Sequence, residues 1–182
     1  MKKFLVITSL IVFTGLFFGF SLNNSPEKYE FAESTTVNWM TFEEAVKASE
    51  TAPKKIMIDL YTDWCGWCKK MDKTTFEDPK VVKYLNDNFY AVKFDAEQKE
   101  EINFNGHQFK WVAGGRNGIH TLAYSLLDGN LSYPTVVYLN ERFERIMISP
   151  GFKEAPGMIK ELTFAAEEHY TSTSWQEYQQ KK

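Results

Sequence analysis

The chain has 182 residues, a formal net charge of −3 and 43% hydrophobic residues, enough for one domain with a full core plus appendages. A slightly acidic balance offers no general affinity for nucleic acid. Two cysteines and three histidines (His107, His120 and His169) supply neither a second Cys pair nor a His-x-x-x-His, so no structural zinc site or other resident metal is expected.

The first 21 residues read as an export element. Lys2 and Lys3 precede an apolar run from Phe4 to Phe20, the order of a secretory signal peptide. Gly19 and Ser21 fit the small-residue cleavage positions, but no Ala-x-Ala is present. The run also approaches the minimum of about 17 residues that spans a bilayer, so an uncleaved N-terminal anchor stays open beside a cleaved signal. Either way the domain is expected outside the cytoplasm, periplasmic or membrane-tethered, where disulfides persist. Residues 22–35 are polar and read as a linker.

The domain is expected over 36–170. Residues 35–39 have strand propensity. Thr41 and Glu44 form a capping box for a helix to about Ser49 that buries Phe42, Ala45 and Val46. Ile56-Met57-Ile58 is a buried strand, and Lys69 to Phe76 reads as a helix. Asp78-Pro79 opens another helix, with Asp as N-cap and Pro at the first turn. Phe89 to Phe94 follows as a strand beside the Ile56 strand, a parallel crossover.

Residues 97–130 read as an insert. Asn105-Gly106 sits between alternating flanks, a strong hairpin signal, and Gly114 to Gly118 is a flexible loop. Ile119 to Leu127 is predicted helical, with Gly129 as its cap. His120 reads as a hydrogen-bonded structural histidine rather than a catalytic one. Two readings of the insert stay open: a border to the chemistry that shapes a partner groove, or a decorated sheet edge. Thr135 to Leu139 and Arg145 to Ile148 read as an antiparallel hairpin. Met158 to His169 has helical spacing and covers the sheet. The tail, 171–182, is either a short docked amphipathic turn or a frayed end.

The chemistry lies in Asp59-Leu60-Tyr61-Thr62-Asp63-Trp64-Cys65-Gly66-Trp67-Cys68-Lys69-Lys70. A Cys-x-x-Cys where a strand hands over to a helix is a redox arrangement. Cys65 falls at the helix N-terminus, where free N–H groups and the helix dipole favour a thiolate. Cys68 follows one turn later on the same face, within reach of a disulfide to Cys65. A purely structural disulfide of this spacing closes too small a loop to restrain much unfolded-state entropy. Lys54, Lys55, Lys69, Lys70, Lys73, Lys80 and Lys83 suggest local positive charge at this end, read first as a solvated face and second as a weak bias of Cys65 toward thiolate. A rival from another class uses the same cysteines to hold a soft metal such as Cu(I) for delivery.

The stretch resembles the redox centre of the thioredoxin superfamily, and is similar to envelope-located thioredoxin-like proteins with Trp-Cys-x-Trp-Cys-Lys sites. The resemblance implies a mixed four- or five-stranded sheet with helices on both faces, carrying the hairpin-and-helix insert. It implies thiol–disulfide exchange without a cofactor, on protein thiols or disulfides, with a redox partner that recycles the pair. Cys65 becomes the nucleophile and Cys68 the resolving cysteine. Asp59 falls where thioredoxins bury an acid below the disulfide. Tyr133-Pro134-Thr135 matches the family's cis-proline loop, so with Trp64, Gly66 and Trp67 these residues are the expected substrate contacts. Gly151 matches a family glycine near this surface. The lysine that partners the buried acid in thioredoxin falls on Ala91, with Lys93 two positions away, and Trp67 stands where thioredoxin has proline.

Overall fold

The computed structural model describes residues 34–180. The expected signal or anchor, nearly all of the linker and the last two residues lie outside the described residues. Strand β1 (Trp39–Met40) leads into helix α1 (Phe42–Thr51), whose capping box forms as predicted. Thr41 Oγ1 accepts from Glu44 N at 3.2 Å, and the Glu44 carboxylate accepts from Thr41 N at 2.8 Å. The central strand β2 (Lys55–Tyr61) precedes α2 (Gly66–Thr74) and α3 (Pro79–Asn88). Asp78 caps α3 by accepting from Lys80 N and Val81 N. Strand β3 (Phe89–Asp95) then returns parallel to β2.

The insert builds two small ladders. Strands β4 (Ile102–Phe104) and β5 (His107–Phe109) flank Asn105 and Gly106. Both turn residues have positive φ (50° and 75°), which a two-residue hairpin turn requires. Strand β6 (Trp111–Val112) pairs with β7 (Ile119–His120), and α4 (Thr121–Leu126) follows. The helix predicted from Ile119 therefore starts two residues later. Ile119 and His120 are held in the ladder, and His120 Nδ1 accepts from Leu122 N at 3.2 Å as the N-cap.

Strands β8 (Thr135–Leu139) and β9 (Arg145–Pro150) form the predicted hairpin, and α5 (Ala155–Ala166) crosses back over the sheet. His169 does not extend α5. Glu168 adopts the left-handed conformation (φ 58°), and His169–Thr171 forms a short 3-10 turn instead. Helix α6 (Trp175–Gln180) then lays Trp175 and Tyr178 against Phe164 of α5, so this part of the tail is docked on the domain.

The five-stranded sheet runs β1-β3-β2-β8-β9, with β1, β3 and β2 parallel and β8 and β9 antiparallel to their neighbours. This is the mixed sheet with helices on both faces that the resemblance implies. Alternation along β2 sorts the core. Ile56, Ile58 and Leu60 join Val92, Phe94, Val137 and the inner residues of α1 and α4 on one face. Met57 joins Met71, Leu85, Tyr138, Met158 and Leu162, under α2, α3 and α5, on the other. Burying one such Leu or Ile contributes about 1.5–3 kcal/mol, so both layers are needed to hold the sheet. Asp59 is next in the alternation after Met57 and faces the α2 side.

Candidate active site

The turn between β2 and α2 makes the site. Cys65 N donates to Thr62 O at 3.0 Å, and Cys65 is the N-cap of α2. The backbone N–H of Cys68 points at Cys65 Sγ at 3.1 Å, so a donor of the first helical turn reaches this sulfur. The two cysteines form a disulfide. Cys65 is 5% exposed and Cys68 1%, which leaves Cys65 the more accessible residue of the pair.

Asp59 is fully buried, and Lys93 Nζ donates to its Oδ2 at 2.6 Å. Register explains the partner: Asp59 pairs with Lys93 across β2 and β3, whereas Ala91 pairs with Met57. Ala91 and Lys93 share one face of β3, so the lysine function moves one residue pair along the strand. Lys93 also donates to Asp72. Asp72 lies four residues after Cys68 on α2, on the same helical face, so Lys93 ties β2 and β3 to the cysteine helix. Burial pushes the Asp59 carboxyl above the usual aspartate range, and the Lys93 cation offsets only part of that. Burial works against the Lys93 charge too, but the carboxylates of Asp59 and Asp72 hold its pKa above that of a free lysine. Asp59 Oδ1 has no hydrogen-bond partner among the described residues and can carry a proton.

The Tyr133–Pro134 peptide bond is cis, and Pro134 O accepts from Gly151 N at 2.8 Å, so the loop is latched to the end of β9. Thr135 is buried, and its hydroxyl donates to Ser132 O at 2.7 Å, which fixes the turn. Gly66 opens onto free space, with nothing within 4 Å of an added Cβ. Trp64 and Trp67 are 62% and 57% exposed and flank the disulfide. Trp64 donates from Nε1 to Glu97 Oε1 at 2.8 Å and meets the Tyr133 ring edge-on. Trp67 packs on Phe152, with the Lys70 ammonium over both rings.

Among the expected charges, Lys54 and Lys55 do not belong here. They lie at the other end of β2, roughly 20 Å away for a strand of this length. Lys55 is buried against Glu141 and Glu168, at 2.8 and 3.1 Å. His120 is fully buried, with Nε2 at 3.0 Å from Glu100 O, which is a structural position.

Sequence reasoning missed a buried polar layer behind Asp59. Glu161 of α5 accepts from Ser149 Oγ at 2.6 Å and from the Tyr138 hydroxyl at 3.2 Å. Lys153 Nζ donates to Ser149 O and Gly151 O at 2.6 and 2.7 Å, and Thr75, just past α2, donates to Lys153 O. Lys153 therefore braces the segment that latches Pro134 against the end of the cysteine helix. Burial depresses its pKa and lifts that of Glu161. The available signal was an inward Lys, Ser or Glu in an otherwise apolar alternation.

The family model Thioredox_DsbH, described as “Protein of unknown function, DUF255”, matches residues 21–177. The thiol:disulfide interchange protein DsbD of Colwellia psychrerythraea is 30% identical over 112 residues, covering 53% of this chain. The chain spans only 18% of that relative's length. A putative disulphide-isomerase from Bacteroides thetaiotaomicron has 26% identity and a TM-score of 0.53, covering 79% of this chain and 98% of that one. A DsbH oxidoreductase has a TM-score of 0.54 at 15% identity, covering 74% and 88%, and shares the fold.

Proposed function

Because the chain belongs to the Thioredox_DsbH family, we propose that it is a thiol–disulfide oxidoreductase acting on protein thiols or disulfides outside the cytoplasm. The observation that carries this reading is a Cys65–Cys68 disulfide at the N-terminus of α2, the helix that Lys93 ties through Asp72 to the buried Asp59. A structural crosslink does not need a buried acid and lysine tied to the helix that carries it.

In the reducing direction the pair starts as dithiol. Cys65 thiolate attacks one sulfur of a substrate disulfide; that bond breaks, and one substrate sulfur leaves as thiolate. Cys68 then loses its proton to Asp59 and attacks Cys65 Sγ. The Cys65–Cys68 bond forms, the mixed disulfide breaks, and the second substrate sulfur departs as a thiolate, with two electrons transferred in all. Asp59 later returns its proton towards solvent. The opposite direction runs the same steps in reverse, and a separate dithiol or disulfide partner resets the pair. Trp64, Gly66, Trp67 and the Tyr133-Pro134-Thr135 loop border the reacting sulfur and guide the substrate chain. An export signal or anchor over residues 1–21 supplies the location.

Insulin reduction, with glutathione equilibration of the pair, tests the reading. Wild type should reduce insulin catalytically, Cys65→Ser should be inactive, and Cys68→Ser should accumulate mixed disulfides. Stoichiometric Cu(I) binding with no catalysis by wild type would favour the metal-carrier reading.

A further inference from the structure

Register carries the polar face past Asp59 to the edge of the sheet. Lys93, Asp59, Val136 and Ser149 are successive partners across β3, β2, β8 and β9, so they form one row. Residues paired in this way share one face of a sheet. Neighbouring strands are about 4.8 Å apart, so Ser149 lies roughly 10 Å from Asp59. Only Val136 separates them in the row, and it is fully buried.

The far end of the row holds a second cation. Lys153 is 9% exposed, and its Nζ donates to Ser149 O at 2.6 Å and to Gly151 O at 2.7 Å. Both acceptors are neutral carbonyls, so they fix the ammonium in place without cancelling its charge. Both oxygens of Glu161 accept hydroxyl donors, Oε1 from Ser149 and Oε2 from Tyr138, the bonding pattern of an ionised carboxylate. Burial works against the Lys153 charge, while Glu161 and then Asp59 favour it. For Asp59 in turn, burial raises the pKa, Lys93 lowers it, Asp72 raises it and Lys153 lowers it again. Lys93 bonds Oδ2 alone and leaves Oδ1 unpartnered among the described residues, so the nearer cation meets one side of the carboxylate.

The remaining neighbours do not supply this charge. Asp72 of α2 shares Lys93, and burial, then Glu161, keeps Tyr138 of β8 protonated. The buried residues of α3 are Val81, Val82 and Leu85, all apolar. Cys65 and Cys68 do not titrate while joined as a disulfide.

We infer that Lys153 is a positioning residue for the exchange reaction: a second buried cation that acts on Asp59 along this row, from the side opposite Lys93, and favours the anionic form that takes the Cys68 proton. The inference rests on the exchange reading for that proton transfer.

The test separates the charge from the reaction. The Asp59 carboxyl is titrated by carbon NMR in the oxidised full chain, with Asp59→Asn to assign its signal. Lys153→Met should move the midpoint up by about one pH unit, the effect of one charge about 10 Å away at an effective dielectric constant of about 20. Lys153→Gln, which keeps a donor for the carbonyls and is milder for folding, should do the same. Lys153→Arg, which keeps the charge, should stay near wild type. A brace alone predicts the opposite sign, because a loosened site admits water and brings the midpoint down toward that of a free aspartate. In single-turnover resolution, the rising limb of the pH profile should move up with the midpoint in both neutral variants, since anionic Asp59 is the base. An unmoved or lowered midpoint in folded Lys153→Gln, an equal rise in Lys153→Arg, or a resolution profile that stays with wild type while the midpoint rises would overturn the inference. If wild type reduces no disulfide while the midpoint rises as expected, the exchange reading fails and the electrostatic link from Lys153 to Asp59 stands.

Discussion

The two faces of the central sheet are built from the same strands and differ in what they bury. On the α1 and α4 face, Ile58, Leu60, Phe94 and Val137 make an apolar layer whose buried titratable group is His120. On the α2, α3 and α5 face, Lys93 and Asp59 pair across β3 and β2, and Tyr138, Ser149, Lys153 and Glu161 continue the polar layer. One residue along β2 separates the two regimes, since Leu60 points one way and Asp59 the other. Buried charges add little to stability and are costly when broken. On the proposed exchange reading, the Asp59–Lys93 pair on the cysteine-helix face belongs to the chemistry, and the apolar face holds the sheet beneath it.

The largest effect should come from cutting the apolar face. Phe94→Ala should cost about 3–5 kcal/mol in a urea titration, with the reduction potential of the folded protein unchanged. A shifted potential would mean that the two faces are not separable. Next comes Tyr138→Phe, which leaves Glu161 with one fewer donor inside the polar layer. It should cost about 1–3 kcal/mol by the same measurement, although it preserves the ring packing. A neutral result would show that Glu161 finds another partner.

The smallest and most discriminating effects are opposite in their pH dependence. Asp59 has a raised folded pKa, so its cost is absent at low pH and grows as pH rises above the unfolded value of about 3.9, levelling off past the folded pKa. Asp59→Asn should therefore gain on wild type from acidic to neutral pH. Burial lowers the His120 pKa, so its cost grows as pH falls below the unfolded value of about 6.5. His120→Asn, which keeps a capping side chain, should gain on wild type from neutral to acidic pH. Urea midpoints at several pH values read both. Parallel curves would mean that neither group is held as described.

The fold was largely legible because its signals are local. The capping box at Thr41, Asp78-Pro79, Asn105-Gly106 and the alternation of Thr135 to Leu139 each fix an element through nearby atoms. The cysteine pair was legible for the same reason. What escaped was set by register. Whether Ala91 or Lys93 meets Asp59 depends on how β3 slides against β2, and a shift of one residue pair changes the partner without changing the pattern. Ile119 and His120 are drawn into a ladder by Trp111 and Val112, a tertiary contact that overrides helical periodicity. Glu97, Asp72, Lys153 and Glu161 acquire their positions only when distant elements meet.

The central claim is that the polar face serves the disulfide through Asp59. Its most direct test is the single-turnover rate at which Cys68 resolves a preformed mixed disulfide at Cys65, followed against pH for wild type and Asp59→Asn. General-base assistance contributes about a hundredfold or more, so the variant should resolve about a hundredfold more slowly near neutral pH, and the gap should close as alkali deprotonates Cys68 directly. Superimposable profiles for the two proteins would contradict the account.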